Sequence, residues 1–473
     1  MREHSYREDR ENLKELLTQY ENLKSGRSHS FLEEEAFETI IEYYDQQDNL
    51  AEAMNAVEIA LEQFPYSSAL MIKKADLLLA QRKYVQALEI LDKASLFDAN
   101  DINLYILKTD AYLALDQQPV AVELLEDALR LFEGEERIEL LFELADVYDD
   151  YEEFDKVFDC LRIILEDEPN NEEALYKICF WADFTGRYEE SIAVHKKIID
   201  DFPYNEIAWF NLAAAYQGLK LYEKAIDAYQ YAIAIDEKFD YAYRNMGDAY
   251  LRLRKYKEAI EVLEKVLELS RPEDVIYEAI GHCYHRLNNY AQARFHYKKA
   301  VHLNPDDSKL YYKIATTYMQ EEQWPSAIKQ LENAMRIHRN MAEYNLAMGE
   351  CKMQLKQYKE AIVYFGNVVR NKPKSVTGWE ALVRCLLQAR FFEEASEQCL
   401  GALKATENKP IFIYYYSLVL FATGKTKEAL LFLENAMTKA PKLVKKFIAL
   451  NPSILQNNQV VDIVARYKKG KRI

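Results

Sequence analysis

A chain of 473 residues with 49% hydrophobic and 29% charged side chains can fill about three ordinary domains or one long repeat array, and is too apolar to be disordered. Only 12 glycines and 11 prolines are available for loops, and β-branched runs bounded by turn dipeptides are nearly absent, which argues against sheets. The net charge of −18 is uneven: residues 1–171 carry 16 Lys+Arg against 41 Asp+Glu, a net of −25, and residues 172–473 carry 44 against 37, a net of +7. Two oppositely charged stretches bear on the choice of partner more than on the fold.

In chain order, the opening MREHSYREDRENLKE has no apolar core and reads as no secretory signal. Leu13, Leu16, Leu17, Tyr20 and Leu23 then recur at helical spacing before Gly26, so 1–33 is expected to be an N-terminal capping helix. Ser30-Phe-Leu-Glu33 reads as a capping box opening the next helix. From Glu34 a pattern repeats, with starts at 34, 68, 102, 138, 172, 206, 240, 274, 308, 342, 376 and 410. Every step is 34 residues except one of 36, where Phe132–Arg137 is expected to lengthen a loop. Position 20 of the repeat is Ala in ten of twelve copies, position 11 is Tyr in seven, and position 32 is Pro in six.

That spacing dictates a pair of helices. Positions 4, 7, 8 and 11 share one face of a first helix, and 20, 24 and 27 share one face of a second. Small residues at 8 and 20 let the two approach, and proline at 32 stops the second helix. Pro119 and Pro325, at position 18, fall in the first turn of the second helix, where a missing N–H costs nothing. Each pair exposes apolar faces that only its neighbours can cover, so the pairs must stack. The apolar run from Ile411 to Ala422 is too short for a bilayer, which needs about 20 residues, and reads as a buried helix. After Pro441, two further helices broken at Asn451-Pro452 are expected to cap the array, with KKGKRI as a frayed basic tail, making 444–473 a C-terminal cap.

This pattern closely resembles the tetratricopeptide repeat family, whose motif is W-x2-L-G-x2-Y followed by A-x3-F-x2-A and P. The match runs over 34–443, and the repeat-only layout looks like the scaffolds of this family found in bacteria. Ile41 and Val383 at position 8, and Lys352 at position 11, depart from the motif and are expected to weaken single repeats. The resemblance implies an all-α fold, a right-handed superhelix of antiparallel helix pairs whose first helices line a concave groove.

No motif for catalysis is present: no phosphate-binding loop, no GxGxxG and no GxSxG. The enzyme class and a cofactor are therefore not expected. His282, Cys283 and His285 form the nearest approach to a metal set, but no ligand pair follows at the right spacing, so they are read as groove-lining residues and no metal is assigned. Acidic runs such as Asp149-Asp150 lack the pattern of a calcium loop. Cys160, Cys179, Cys283, Cys351, Cys385 and Cys399 form no CxxC and read as free core thiols, which points to the cytoplasm. RNA binding would need a basic aromatic groove, and the −25 stretch would repel phosphate, so nucleic acid and membrane insertion are both excluded from the expected partners.

Function is expected in the groove. Positions 2, 5, 9, 12 and 13 of the first helices are acidic early (Glu35, Glu38, Glu42, Asp45, Asp76, Asp110, Glu139, Asp146, Asp149, Asp150), then aromatic (Tyr176, Phe180, Phe184, Phe210, Tyr241), then basic or polar (Arg244, Arg252, His282, His285, Arg286, Lys309, with Lys313 at position 6). The rings either seal neighbouring helices or anchor a ligand. We read Tyr176, Phe180, Phe210, Tyr241, Arg244, Asn245, Lys309 and Lys313 as a peptide-binding site across the repeats starting at 172, 206 and 240. Some relatives clamp a carboxylate with paired Lys and Asn. Here Arg244, Lys309 and Lys313 fit the basic places, but Asp248 and Ala279 replace the asparagines, which removes the orienting hydrogen bonds. The expected function is a non-catalytic scaffold for protein or peptide partners. The alternatives are a regulatory or substrate-recruiting subunit of an enzyme, secretion or assembly complex and, more distantly, an RNA-binding arm.

Overall fold

The structure, a computed structural model, describes residues 2–25 and 31–469, with side chains placed for 13–25 and 31–467. Among the described residues there are 27 α-helices, two short 3-10 turns and no strand. The chain divides into two compact units, Met1–Ala242 and Tyr243–Ile473. Within each, a helix of about thirteen residues is followed by a second of similar length, and the second packs against the first helix of the next pair.

The turn between paired helices recurs with the sequence. Asp48, Arg82, Asp116, Glu152, Gly186, Lys220, Arg254, Asn288, Glu322, Lys356, Arg390 and Gly424 all have positive φ, and each sits at position 15. The next N–H then bonds five residues back, as Asn49 does to the Tyr44 carbonyl (2.9 Å) and Lys255 to Tyr250 (2.9 Å). This left-handed closure satisfies carbonyls that the helix end leaves open. At the other end of the repeat, Ser67, Asp101, Asn171, Asn205, Asp307 and Ser375 accept a backbone N–H from the first turn of the following helix. Second helices that meet a position-32 proline end two residues before it, at Gln63, Asp167, Asp201, Leu303, Asn371 and Lys439. Trp209 and Trp379 donate their indole N–H to the carbonyls of Pro203 and Pro373 (2.9 and 2.8 Å), tying each first helix to the repeat before it.

Inside each pair, positions 8 and 24 divide one volume between them. All ten position-20 alanines are fully buried, which brings the two helices close. A Cβ added at Gly247 would lie 2.7 Å from Leu263, one at Gly281 2.7 Å from the Tyr297 ring, and one at Gly349 2.5–2.8 Å from the Phe365 ring. Where position 8 is large, its partner is small: Ile41 shares a core with Val57, and Val383 with Cys399. The two bulky residues at position 8 are thus matched by smaller partners within their own pairs. Close packing makes the summed volume the constrained quantity.

Two local expectations are corrected. The two extra residues near 132–137 lengthen a helix, not a loop: it runs Gly134–Asp150, 17 residues long, with Glu135 and Glu136 in its first turn, where carboxylates favour the positive end of the helix dipole. The first repeat helix starts at Glu34 with Glu33 as its N-cap and no side-chain cap, so it is not opened by Ser30, which lies outside the described residues. At the N-terminus Leu16, Leu17, Tyr20 and Leu23 of the helix Arg2–Lys24 join the core of Phe37, Ile40 and Ile41. At the other end, helices Val444–Leu450 and Asn458–Lys469, separated by the Pro452–Gln456 turn, place Val444, Phe447, Val460 and Ile463 in the last core. Residues 470–473 of the basic tail lie outside the described residues.

Candidate functional site

The first unit presents a stripe of rings. Tyr176, Phe180 and Phe184 occupy positions 5, 9 and 13 of the helix Glu172–Thr185, four residues apart, so they line one face over two turns. They are 62%, 59% and 58% exposed. Phe180 and Phe184 stack 6.0 Å apart, while Trp181 and Phe154 form a layer beneath them: Phe154 stacks on Trp181 at 5.4 Å and meets Phe184 edge-on at 4.8 Å. Trp181 and Phe154 support the outer rings, and sequence reasoning missed both because positions 10 and 17 lie off the groove pattern. Phe210 differs. It is half-buried against Tyr229 (5.7 Å) and Phe239 (5.0 Å), so most of its area seals helices. Tyr241 is 61% exposed.

The same face carries carboxylates. Lys73 pairs with Glu42 (2.5 Å) and Lys177 with Asp146 (3.8 Å), each lysine at position 6 reaching position 9 of the preceding repeat. Between these joints Asp76, Asp110 and Glu143 have no ion-pair partner among the described residues. At position 6 Glu143 stands where a lysine stands in those two joints. Burial, then Asp110, Asp146, Glu139 and Asp150, raises its carboxyl to about 7. Burial also raises Asp110, helped by Asp76, and Asp76, helped by Asp45. The sequence carries the signal, since position 6 is Lys at 73 and 177 and Glu at 143.

A buried polar node fixes the helices beneath the rings. His195 is fully buried, with Nδ1 2.7 Å from the Ser191 carbonyl and 3.2 Å from its hydroxyl. Asn211 Nδ2 donates to the Leu175 carbonyl (2.7 Å) and lies 3.2 Å from His195 Nε2. Nδ1 is therefore the donor and Nε2 the acceptor. A second ring proton would face the Asn211 amide, and burial, the main cause, lowers the imidazole to about 4.

The second unit handles charge differently. Arg244 donates to Glu273 through both terminal guanidinium nitrogens, Nη1 and Nη2 (2.8 and 2.9 Å), which holds the Glu273 carboxyl below its usual range. Lys313 pairs with Glu278, and Arg384 with Glu350 (2.6 Å), each across consecutive first helices. Lys309 is exposed and Asn245 half-buried. Of the eight residues read as one peptide site, Tyr176, Phe180, Phe210 and Tyr241 belong to the first unit and Arg244, Asn245, Lys309 and Lys313 to the second.

Burial and neighbouring cations lower His282, and burial and Arg286 lower His285. No group of three or more His, Cys, Asp or Glu among the described residues is placed to hold a metal ion. The six cysteines are free, and five are buried. No helix of the described residues is long and apolar enough to cross a membrane.

Three family models match the sequence. The tetratricopeptide repeat protein 21 C-terminal ARM domain covers residues 189–343, and two tetratricopeptide repeat models cover 46–111 and 342–375. No curated protein sequence matches significantly. Among solved structures, the chain is similar to the C-terminal part of a TPR repeat-containing protein from Cytophaga hutchinsonii, at 19% identity over 54% of this chain and 99% of that one, with a TM-score of 0.43. It is similar to YrrB, described as a TPR protein with an unusual peptide-binding site, at 20% identity over 40% and 96%, with a TM-score of 0.36. It is similar also to the APC/C hetero-tetramer Cut9-Hcn1, at 12% identity over 82% and 97%, with a TM-score of 0.36.

Proposed function

Because the chain belongs to the tetratricopeptide repeat family, we propose that it is a non-catalytic scaffold that holds partner proteins or peptides on the face of its first helices. One observation carries this reading: three large rings at four-residue spacing stand in solvent on that face, two of them, Phe180 and Phe184, on a layer that keeps them in place. Exposed apolar area held rigid in this way favours a macromolecular partner, since a monomer gains nothing from it. The scaffold comprises twelve repeats over 34–443 between the two caps. In the first unit Tyr176, Phe180, Phe210 and Tyr241 supply apolar contacts, with Phe210 contributing its exposed edge. In the second, Arg244, Asn245, Lys309 and Lys313 supply polar ones, Arg244 and Lys313 as members of ion pairs with their own chain. We place the protein in the cytoplasm, in keeping with its free thiols.

Affinity capture with and without nuclease tests the scaffold. Protein partners retained through nuclease treatment, and lost with Tyr176→Ala/Phe180→Ala, are expected. Partners that leave with the nucleic acid would make the chain an RNA-binding arm instead.

A further inference from the structure

The first-unit stripe has a chemistry that selects its partner. On one side the next first helix, Glu206–Gly218, carries Ala214 and Gly218 at the positions equivalent to Phe180 and Phe184, with the Tyr188 ring lying against Gly218, so that side offers no charge at these positions. On the other side the helix Gly134–Asp150 carries Asp146 and Asp150 at those positions, with Asp149 beside them, all exposed. The one lysine between, Lys177, is shared by Asp146 (3.8 Å) and Glu173 (2.8 Å), so two carboxylates take up one positive charge. The apolar stripe is therefore flanked by an acidic margin on one side only, and that margin is the end of the stretch 1–171, whose net charge is −25.

We propose that Tyr176, Phe180 and Phe184, with Asp146, Asp149 and Asp150 beside them, dock a basic amphipathic helix of a partner protein. Its apolar residues lie on the rings, and its lysines and arginines lie over the carboxylates. The partner's spacing follows from the stripe, because rings four residues apart on one helix match apolar side chains three or four apart on another. Its charge follows from the margin. A second copy of this chain is the poorer occupant, since a two-fold contact would set the same carboxylates against one another. Nucleic acid is repelled for the same reason. The inference rests on the scaffold reading and adds the place and the partner's chemistry.

Two fluorescent helical peptides with the same leucine stripe, one with lysines on the polar face and one with glutamates, are titrated against the full chain by anisotropy. The lysine peptide is expected to bind at least tenfold more tightly, and more weakly as salt rises. Phe180→Ala/Phe184→Ala should weaken it at least tenfold with an unchanged thermal melt, since both rings are largely in solvent. Asp146→Lys/Asp150→Lys should reverse the preference between the peptides. Equal binding of both peptides overturns the proposal. Tight lysine-peptide binding that ignores the ring variant overturns the location while leaving the scaffold reading intact. A concentration-dependent dimer in sedimentation that the ring variant abolishes, with neither peptide bound, makes the stripe a self-interface and overturns the partner.

Discussion

The two units share a helix-pair architecture and differ in what their first helices do with charge. In Met1–Ala242 the carboxylates of three consecutive first helices, Asp76, Asp110 and Glu143, are raised by burial and then by one another, opposed only by Lys73 at Asp76, although Lys73 and Lys177 close the joints on either side. In Tyr243–Ile473 the cations Lys313 and Arg384 each close on a carboxylate of the preceding repeat. The second arrangement spends its charge on holding its own helices. The first leaves one run of carboxylates without an ion pair among the described residues, at a cost in self-repulsion. A surface whose charges are unsatisfied internally is one that a partner can satisfy.

The largest test of this contrast uses acid. His195 is held neutral in the first unit, with its folded value near 4 against the usual 6.5. A depressed histidine contributes stability above its unfolded value and loses it as pH falls, here from about 6.5 down to about 4. The lost contribution is about 3 kcal/mol at about 1.4 kcal/mol per pH step. Urea midpoints at pH 7 and 4.5 should fall further for the wild type than for His195→Gln; parallel falls would remove His195 as the acid-sensitive node.

The next test is of the second unit. Arg384→Met should cost about 1–2 kcal/mol, because Glu350 is only 27% exposed and loses its cation. Lys177→Met in the first unit, whose partners are well exposed, should cost under about 0.5 kcal/mol. Equal losses would erase the distinction between the units.

The remaining effect has the opposite sign. Glu143 has its carboxyl raised to about 7, so ionisation disfavours the folded state: stability is full below about 4.5 and lost as pH rises through 7. Glu143→Gln should therefore stabilise the fold at pH 8 by about 1 kcal/mol after solvent screening, read as a raised melting midpoint, and change little at pH 4.5. A destabilised variant at pH 8 would mean that the carboxylate run is balanced in a way the geometry does not show.

Much of the fold could be read from the chain because repetition removes noise. Ala at position 20 names a helix contact once, and ten copies make it unambiguous. Pro119 and Pro325 lie in the first turns of their helices as their position requires. The extension at Gly134 was not legible, since Glu-rich sequence suits a loop or a helix start equally, and only the neighbouring packing decides. For the candidate site, Tyr176, Phe180 and Phe184 were visible as a stripe, because period alone sets the face of a helix. The burial of Phe210 and the commitment of Arg244 to Glu273 were not, because both depend on residues more than twenty-five positions away or in the next helix. Motif spacing says which way a side chain points and nothing about what already occupies that direction.

The volume shared by positions 8 and 24 has a consequence for how such a chain changes over generations. Both partners lie within one repeat, so a recombination event that joins whole repeats keeps every matched couple together, and repeats can be duplicated or deleted as cassettes. A crossover between the two helices does not. Joining the first helix of Gly349 to the second helix of Cys399 would leave a cavity where Phe365 had been, and joining that of Val383 to Phe365 would force a β-branched side chain into a ring that already excludes a methyl group. Viable breakpoints therefore fall near the position-32 prolines, and the reading frame of inheritance in this array is the repeat itself.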